Sequence, residues 1–278
     1  MKKIAAELLA AFLLCAAMGV FAHAAQPQAL KFVVLGDSIA AGAMLRSKSD
    51  AYASLVAGAK GYDLRNLAVN GYTSADLRER VTGDKAFREE IAGADIIALS
   101  IGGNDMLKTG DILGSLAIGM LGDYEALEPI MGPVFAGNRE NLAAIAAELR
   151  ALNPDARLIV QTLYNPAFPL PSLREAYGRG VEIINQSIHD YLEQNPGAFE
   201  IADVFSAFEG RGGLIFFDMT HPSRAGHAVI AAVLTAVIDG EEPPLPAVRP
   251  LRARLDRRMN PVLALADRVV VWVLGRVL

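Results

Sequence analysis

Five short segments rich in aliphatic and β-branched residues recur at long intervals along this chain of 278 residues. Apolar runs of this length are typical of strands that are buried on both faces of a sheet. Segments with helical spacing lie between them, and strands that alternate with helices predict a parallel sheet covered by helices on both sides. The sequence therefore predicts an α/β fold. The predicted strands are Lys31 to Leu35, Leu64 to Val69, Asp95 to Ile101, Arg157 to Leu163 and Phe199 to Val204.

The helical segments end at residues that commonly stop helices. Gly61 follows the first segment, and Asn195 to Gly197 follows the fourth. The stretch from Gly110 to Gly137 has only weak periodicity, and we expect a partly helical excursion over the sheet edge. This excursion either packs on the domain or forms one wall of a substrate site. The predicted helices are Ser49 to Ala59, Ser74 to Thr82, Asn138 to Leu152, Leu173 to Gln194 and Ser223 to Ile238.

Residues 1–25 have the layout of a secretory signal peptide. Two lysines precede an apolar run that is broken only by Glu7, and Ala22-His23-Ala24 has the small-residue pattern of a cleavage site. This predicts a secreted or extracytoplasmic protein, with an uncleaved membrane anchor as the alternative. The only cysteine, Cys15, lies within this leader. The mature chain is therefore expected to have no disulfide, cysteine nucleophile or thiolate metal site.

Charge is distributed unevenly along the remaining chain. Without the leader, 24 basic and 30 acidic residues give a net charge of −6, so nucleic acid is not an expected partner. Residues 249–278 carry a net charge of +5, whereas residues 26–248 carry −11. The proline-rich stretch at 241–250 is typical of a stiff linker. We therefore predict an α/β domain at 26–240, a linker at 241–250 and a basic amphipathic tail at 251–278.

The first predicted strand ends in Gly36-Asp37-Ser38, followed by small residues. In doubly wound sheets, ligands bind at the carboxyl ends of the strands, so a serine at this turn can present its hydroxyl to a substrate. Its own N–H and the dipole of a following helix would face an incoming anion. The alternative is that Ser38 only caps that helix, because serine and aspartate are favoured caps.

Two further strand ends carry residues that can donate hydrogen bonds to a ligand. Gly71 follows the second strand and allows the backbone N–H to approach a ligand closely, although a glycine in a loop is more often a turn former. Asn104 follows Gly102-Gly103 after the third strand, where its amide can point back over the sheet. Asn-Asp after glycines is also an ordinary turn, so each signal alone is weak.

The fourth informative junction is Asp218-Met219-Thr220-His221-Pro222, near the end of the predicted domain. A carboxylate three residues before a histidine can accept the imidazole Nδ1–H and leave Nε2 free as a base. Two other histidines remain outside the leader. His189 lies in a periodic helix and is expected at the surface, and His227 lies in an apolar helix and is expected to be structural.

Together these four blocks resemble the SGNH (GDSL-type) hydrolases over roughly residues 31 to 238. The resemblance implies that Ser38 is the nucleophile, His221 the base and Asp218 its orienting carboxylate. It also implies an oxyanion hole formed by the Ser38 N–H, the Gly71 N–H and the Asn104 side chain. The implied architecture is a flavodoxin-like three-layer sandwich with a central parallel sheet of about five strands. We assign Asp37 and Asp105, which match motif positions, structural roles in holding the turns.

Within this family, the chain is similar to bacterial lysophospholipase-like esterases and lipases. The similarity suggests acyl esters of lipids or small alcohols as substrates, with Tyr164 and Asn165 lining the pocket or serving only in packing. No cofactor is required by this chemistry, and H-E-x-x-H, paired C-x-x-C and phosphate-loop motifs are absent from the sequence. The alternatives are a polysaccharide O-acetyl esterase and a non-catalytic module that binds lipid or another surface.

The basic tail forms a two-sided pattern on a helical wheel. One side carries most of its polar and small residues together with one valine, and the opposite, broader side is apolar. Such a helix can lie in an anionic membrane surface, which makes peripheral membrane contact through residues 251–278 one hypothesis. The alternatives are packing on the domain or a strand from Arg268 to Leu274. The polar side carries Asn260, Ala264, Asp267, Arg268, Val271 and Gly275, and the apolar side carries Val262, Leu265, Val269, Trp272, Val273 and Val277.

Overall fold

The computed structural model describes residues 28–166, 170–211, 213–243 and 251–277. The predicted signal peptide and residues 244–250 of the predicted linker lie outside these ranges. The strands are β1 Lys31–Gly36, β2 Asp63–Asn66, β3 Ile96–Ser100, β4 Arg157–Gln161 and β5 Glu200–Ala202. The helices are α1 Tyr52–Lys60, α2 Ser74–Gly83, α3 Lys85–Ala92, α4 Gly103–Leu107, α5 Ile112–Met120, α6 Tyr124–Leu152, α7 Pro171–Gln194, α8 Val204–Phe208, α9 Arg224–Asp239 and α10 Leu251–Val277, with a 3₁₀ turn at Lys48–Asp50.

The five strands form one parallel sheet in the order β2-β1-β3-β4-β5. Val33 of β1 lies between Arg65 of β2 and Ile97 of β3, so the chain leaves β1 towards one edge and returns on its other side. This strand order is that of flavodoxin-like sheets, and its switch point lies between β1 and β3. The predicted α/β fold with a central five-stranded parallel sheet is confirmed.

The two faces of the sheet are covered by separate apolar clusters. Phe32 and Val34 of β1 pack with α1 and α9 on one side, whereas Val33 and Leu35 pack with α2, α3 and α6 on the other. Successive side chains of a strand point to opposite faces, so an uninterrupted apolar run serves both clusters. The result is a three-layer sandwich, as expected from the sequence.

The sequence does not predict helix α3. Only Phe87 and Ile91 are buried on this short helix, so the four-residue spacing that marks a helix occurs in it only once. Its start is nevertheless encoded locally, because the Asp84 carboxylate accepts a hydrogen bond from the Phe87 N–H.

The weakly periodic stretch from Gly110 to Gly137 forms α5 and the first part of α6. Helix α6 therefore begins at Tyr124, well before the predicted start at Asn138, and contains Pro129 and Pro133. Met131 of α6 packs against α7 in a third apolar cluster, which lies beside the two clusters of the sheet. The predicted excursion is thus almost entirely helical, and its stability comes from contacts with α7 that the local sequence does not reveal.

The tail forms helix α10, so the alternative of a strand from Arg268 to Leu274 is wrong. The Asp267 carboxylate accepts hydrogen bonds from the N–H and hydroxyl of Ser172, at the start of α7. This contact fixes α10 to the domain, as the packing alternative expected. In the described part of the chain, no helix carries an apolar stretch that is long enough to cross a membrane.

A substitution at Gly36 tests how closely β1 must approach β3. Its φ is +148°, and a Cβ added there would lie 2.1 Å from the Ser100 carbonyl oxygen. We expect Gly36→Ala to lower the free energy of unfolding by about 1–3 kcal/mol through overpacking and backbone strain. Urea denaturation measures this change. Gly58→Ala is the matched control, because nothing lies near its added methyl group and alanine favours the helix; a Gly36 variant as stable as wild type would contradict the argument.

Candidate active site

Ser38 lies directly after the carboxyl end of β1, in a series of turns rather than at the start of a helix. The Ala41 N–H donates to the Asp37 carbonyl and the Ala43 N–H to the Ser38 carbonyl, and Gly42, with φ +65°, then turns the chain away. The first α-helix begins only at Tyr52. The expectation that a helix directly follows this serine, and the cap alternative, are therefore wrong for Ser38.

The Ser38 hydroxyl forms a hydrogen-bonded line with His221 and Asp218. Its Oγ lies 2.9 Å from Nε2 of His221, and Nδ1 of the same ring lies 2.7 Å from Oδ2 of Asp218. A carboxylate only accepts hydrogen bonds, so Nδ1 carries the proton and Nε2 accepts from the serine hydroxyl. The structure thus brings together the three residues that the sequence nominated, in the order required for a charge-stabilised base.

Asp218 is held in its ionised form by its own loop. Partial burial raises its pKa, but the N–H groups of His221 and Thr220 and the His221 ring donate to the carboxylate, and the net pKa lies below its usual value. The two backbone hydrogen bonds end on Oδ1 at 3.0 and 3.1 Å. Oδ2 therefore remains aimed at the imidazole.

The loop that carries Asp218 and His221 is closed by backbone hydrogen bonds. The Phe216 N–H donates to the His221 carbonyl, and Ile215 bridges Pro222 in antiparallel fashion. Between the two site residues, Met219 adopts a φ of +65°, a left-handed conformation that is costly for a residue with a side chain. Such strain is retained where the surrounding contacts over-determine the backbone, and here it turns both side chains to the same side.

The Ser38 N–H, Gly71 N–H and Asn104 amide were the predicted oxyanion donors. Among the described residues, neither of the two backbone N–H groups donates to another protein group. Gly71 has a φ of +79°, the conformation that glycine adopts most readily. Nδ2 of Asn104 donates to the Tyr72 carbonyl at 2.9 Å and lies 3.5 Å from Oδ2 of Asp37. The second contact is at the limit of a hydrogen bond, so this N–H is available to a stronger acceptor.

Asp105 ties the loops after β2 and β3 together. Its carboxylate accepts hydrogen bonds from the N–H and the hydroxyl of Ser74, and Asn141 of α6 donates to the same hydroxyl at 2.9 Å. Gly71 lies three residues before Ser74 in the chain, and Asn104 immediately precedes Asp105. Asp105 therefore fixes the relative position of two candidate donors, in keeping with the structural role expected for it.

Asp37 is almost fully buried beside Ser38, with 2% of its surface exposed. Its Oδ1 accepts the Ile39 N–H at 2.9 Å, which holds the turn. Burial raises the pKa of this carboxyl to about 6, and the backbone hydrogen bond and His221 only partly offset that effect. The first strand end therefore carries a buried acid whose charge costs free energy at neutral pH.

Tyr164 lines the same cavity as Ser38, which is the first of the two alternatives predicted for it. Its hydroxyl donates to the Thr220 carbonyl at 2.6 Å, and its ring stacks on Phe208 with centroids 4.5 Å apart. Tyr164 thus supports the residue before His221. Asn165 lies outside the lining of this cavity and donates to the Arg174 carbonyl of α7 at 3.2 Å, which is the packing alternative.

The two other histidines of the domain do not join the site. His189 is exposed on α7, as expected. His227 is fully buried, where its Nδ1 accepts the Tyr52 N–H at 3.3 Å and its ring stacks on the Tyr52 ring. Burial lowers the pKa of His227 to about 4, so the imidazole is neutral at physiological pH. Its role is to join α9 to α1.

Two cavities lie along α7. The smaller, of about 40 Å³, opens at Ser38 and Asn104, and the larger, of about 210 Å³, lies among α5, α6 and α7. Met106 and Tyr177 line both cavities, so they form the boundary between them. Neither residue stood out in the sequence. The apolar spacing around a residue that lines a cavity is the same as that around a core residue, so the local sequence does not distinguish the two.

No group of three or more His, Cys, Asp or Glu side chains in the described ranges is arranged to hold a metal ion. The described site is composed instead of a hydroxyl, an imidazole, carboxylates and N–H donors. This arrangement can activate a serine and stabilise a negative oxygen next to it.

The raised pKa of Asp37 predicts a specific pH dependence. Between its unfolded value of 3.8 and its folded value of about 6, the folded state binds a proton that the unfolded state has lost, so the contribution of Asp37 to stability falls as pH rises through this window. Asp37→Asn removes the charge and keeps an oxygen for the Ile39 N–H. We expect the variant to gain about 1–3 kcal/mol relative to wild type between pH 4 and pH 8.

Chemical denaturation of both proteins across this pH range measures the gain. Comparing the two proteins cancels the contribution of other carboxyl groups that titrate in the same window. A difference in unfolding free energy that stays constant from pH 4 to pH 8 would show that the Asp37 pKa is not raised.

Solved structures with the same fold include several hydrolases. The chain superposes on the lipase Lip_vut3 from a goat rumen metagenome with a TM-score of 0.58 and 21% identity, covering 74% of this chain and 96% of that one. For phospholipase A1 from Streptomyces albidoflavus the TM-score is 0.57 and the identity 18%, and the match covers 77% of this chain and 100% of that one. For Axe2, an acetyl-xylooligosaccharide esterase from Geobacillus, the TM-score is 0.52 and the identity 20%, and the match covers 80% of this chain and 97% of that one. At these identities the likeness concerns the fold alone.

Sequence comparison is more specific about the family. The chain is 32% identical over 177 residues to the uncharacterized protein YpmR of Bacillus subtilis, a match that spans 62% of this chain and 64% of that protein. A family model described as GDSL-like lipase/acylhydrolase matches residues 34–229, from β1 into α9. The resemblance to SGNH hydrolases is thereby confirmed, and the chain belongs to the GDSL-like lipase/acylhydrolase family.

Proposed function

We propose that the protein is a serine esterase that hydrolyses carboxylic esters through an acyl-enzyme. The observation that carries the proposal is the line of hydrogen bonds from Ser38 through His221 to Asp218, at 2.9 and 2.7 Å. Family membership supports the reaction class. The leader-like pattern of residues 1–25 supports action outside the cytoplasm.

In the first step, Ser38 Oγ attacks the ester carbonyl carbon and passes its proton to Nε2 of His221. The imidazole becomes a cation, which the ionised Asp218 stabilises across the 2.7 Å hydrogen bond. Positioned proton transfer of this kind accelerates reactions by about 10²–10⁴-fold. The lowered pKa of Asp218 supports this assignment, because the carboxylate stays charged throughout the step.

The carbonyl oxygen gains negative charge as the tetrahedral intermediate forms. We assign its stabilisation to the N–H groups of Ser38 and Gly71 and to the Asn104 amide, which are the predicted oxyanion donors. One such donor contributes about 10²–10³-fold in other hydrolases. The incomplete pairing of these donors supports the assignment, since they need not break a strong protein hydrogen bond before they bind the oxyanion.

Collapse of the intermediate breaks the ester C–O bond, and the His221 cation gives its proton to the departing alcohol. The acyl group is then bound to Ser38 Oγ as an ester. A water molecule that loses a proton to Nε2 attacks this ester, and the same donors stabilise the second oxyanion. Collapse of the second intermediate breaks the bond between the acyl carbon and Ser38 Oγ, and the His221 cation returns its proton to that oxygen. The carboxylic acid leaves and the site is restored.

The cavities beside Ser38 favour an apolar acyl group. Leu163, Val181 and Ile230 are among the residues that line the smaller cavity, and the larger cavity behind Met106 is walled mainly by apolar side chains. Met106 is unbranched and adapts its shape easily, so it can move aside for a chain that extends past it. We infer that acyl esters of lipids or small alcohols are the substrates, with the acyl chain directed towards α5 and α6.

Two other functions use parts of the same architecture. A polysaccharide O-acetyl esterase would need only the smaller cavity, and an acetyl-xylooligosaccharide esterase is among the proteins that share the fold. A non-catalytic module that binds lipid or another surface would not need a nucleophile. The intact hydrogen-bonded line supports catalysis over the latter, and the larger apolar cavity supports a longer acyl group over acetyl.

Hydrolysis of p-nitrophenyl esters by the Ser38→Ala variant tests the mechanism. We expect the rate constant kcat to fall by at least about 10³-fold, and His221→Ala to cause a similar loss, because residues that act as a unit are not additive. Ser49→Ala, at an exposed serine in the 3₁₀ turn Lys48–Asp50, is the matched control. Near-wild-type activity in Ser38→Ala would refute the serine mechanism, and no activity in the unmodified protein would favour the non-catalytic module.

The chain-length preference tests the acyl site independently of Ser38. Leu116 of α5 lines the larger cavity, whereas Leu113 of the same helix is 78% exposed. We expect Leu116→Trp to fill the cavity and to lower kcat/KM for a decanoyl ester by about tenfold relative to an acetyl ester, a typical value for a lost apolar contact. Leu113→Trp should leave the ratio unchanged. An unchanged ratio in Leu116→Trp would refute this acyl site while leaving the mechanism intact.

A further inference from the structure

In its described part, helix α10 presents large side chains of its apolar side to solvent. Four large apolar side chains on this side form what we call the apolar stripe. In a water-soluble domain such side chains are expected to face the core, so a contiguous exposed set points to a binding surface. The stripe consists of Leu265, Val269, Trp272 and Val273, which are 58%, 52%, 57% and 44% exposed.

The opposite side of α10 is attached to the domain. Asp267 accepts hydrogen bonds from the N–H and hydroxyl of Ser172, where the N-terminus of α7 favours a negative charge. Gly275, eight residues or about 12 Å along the helix, lies beside Leu121 at the end of α5. These two contacts fix the rotation of α10 about its axis. The stripe therefore faces outward because the polar side is already occupied.

Two arginines border the stripe, and one of them, Arg268, belongs to the polar side next to it. Arg268 and Arg276 are exposed, and the Arg276 guanidinium lies 4.0 Å from the centre of the Trp272 ring. Arginine extends its charged group past apolar neighbours towards water or phosphate, and tryptophan favours the boundary between hydrocarbon and water. The stripe thus combines large apolar side chains with positively charged side chains next to them.

From this arrangement we propose that the apolar stripe binds an anionic lipid surface. The tail carries a net charge of +5 on residues 249–278, whereas residues 26–248 carry −11, so the net charge of the tail favours an anionic surface and that of the domain does not. Arginines next to such a surface are attracted by its negative surface potential. A second copy of the chain fits less well, because symmetric docking of two stripes would bring Arg268 and Arg276 of both copies together.

The proposal does not depend on the esterase mechanism, but it has a consequence for it. Helix α7, which holds α10 through Ser172, also lines the catalytic cavity with Tyr177 and Val181. Membrane contact through α10 would therefore keep this wall of the cavity near the lipid, at a separation set by the rigid contact of the two helices.

Trp272 is the only tryptophan of the chain, so its fluorescence reports on the stripe alone. The purified protein is mixed with vesicles of phosphatidylglycerol and phosphatidylcholine in equal parts, or of phosphatidylcholine alone. We expect emission to move to shorter wavelength and to be quenched by lipids brominated on their acyl chains, with tighter binding to the anionic vesicles. Unchanged emission with both kinds of vesicle would overturn the proposal.

Two sets of variants separate the apolar and charged contributions. A variant that combines Leu265→Ser, Val269→Ser and Val273→Ser should need at least about tenfold more lipid for half-maximal quenching, because burial of apolar side chains drives interfacial binding. Leu30→Ser, Met44→Ser and Leu113→Ser, at exposed apolar positions elsewhere, are the control. Circular dichroism checks that both variants are folded.

For the charge, Arg268→Glu with Arg276→Glu should abolish the preference for anionic vesicles, whereas Arg46→Glu with Arg139→Glu, exposed elsewhere, should retain it. An equal preference in both double variants would overturn the proposed role of charge. Light scattering without vesicles provides the remaining test. A dimer in which Trp272 is already shielded would show that a second copy covers the stripe, and would also overturn the proposal.

Discussion

The close approach of β1 to β3 determines the position of much of the candidate site. Gly36 leaves no room for a side chain against the Ser100 carbonyl, and this contact brings the turn after β1 next to the loop after β3. Ser38 and Asn104 therefore lie on either side of the switch point of the sheet, where the strand order reverses. Asp37, between them, is buried and bears a raised pKa as a direct consequence of the same close packing.

His221 and Asp218 reach this point from a different part of the chain. Their loop follows α8 rather than a strand, and its position depends on α9, which it immediately precedes. Gly226 of α9 packs against the Leu214 carbonyl so closely that a Cβ would lie 2.0 Å from that oxygen. Deeper in α9, His227 joins the helix to Tyr52 of α1. His221 is thus placed by helix packing on one face of the sheet, and Ser38 by strand pairing within it.

The parts of the molecule that we propose to bind the acyl chain and the lipid surface lie outside this framework. Helices α5 and α6 form the larger cavity with α7, and α10 packs on α7 and α5 from the outside. One helix, α7, therefore links the cavity at Ser38, the proposed acyl site and the proposed lipid-binding stripe.

The sequence by itself determined the parallel sheet, the family and the three residues that the structure brings together at Ser38, because apolar strand periodicity and short motifs are local properties. It did not determine that no helix follows Ser38, that α6 begins at Tyr124, or that Met106 and Tyr177 border two cavities. It also left open which side of the tail faces the domain. Those features depend on contacts between segments far apart in the chain, such as Asp267 with Ser172, and only the tertiary structure decides which of several possible contacts a side chain makes.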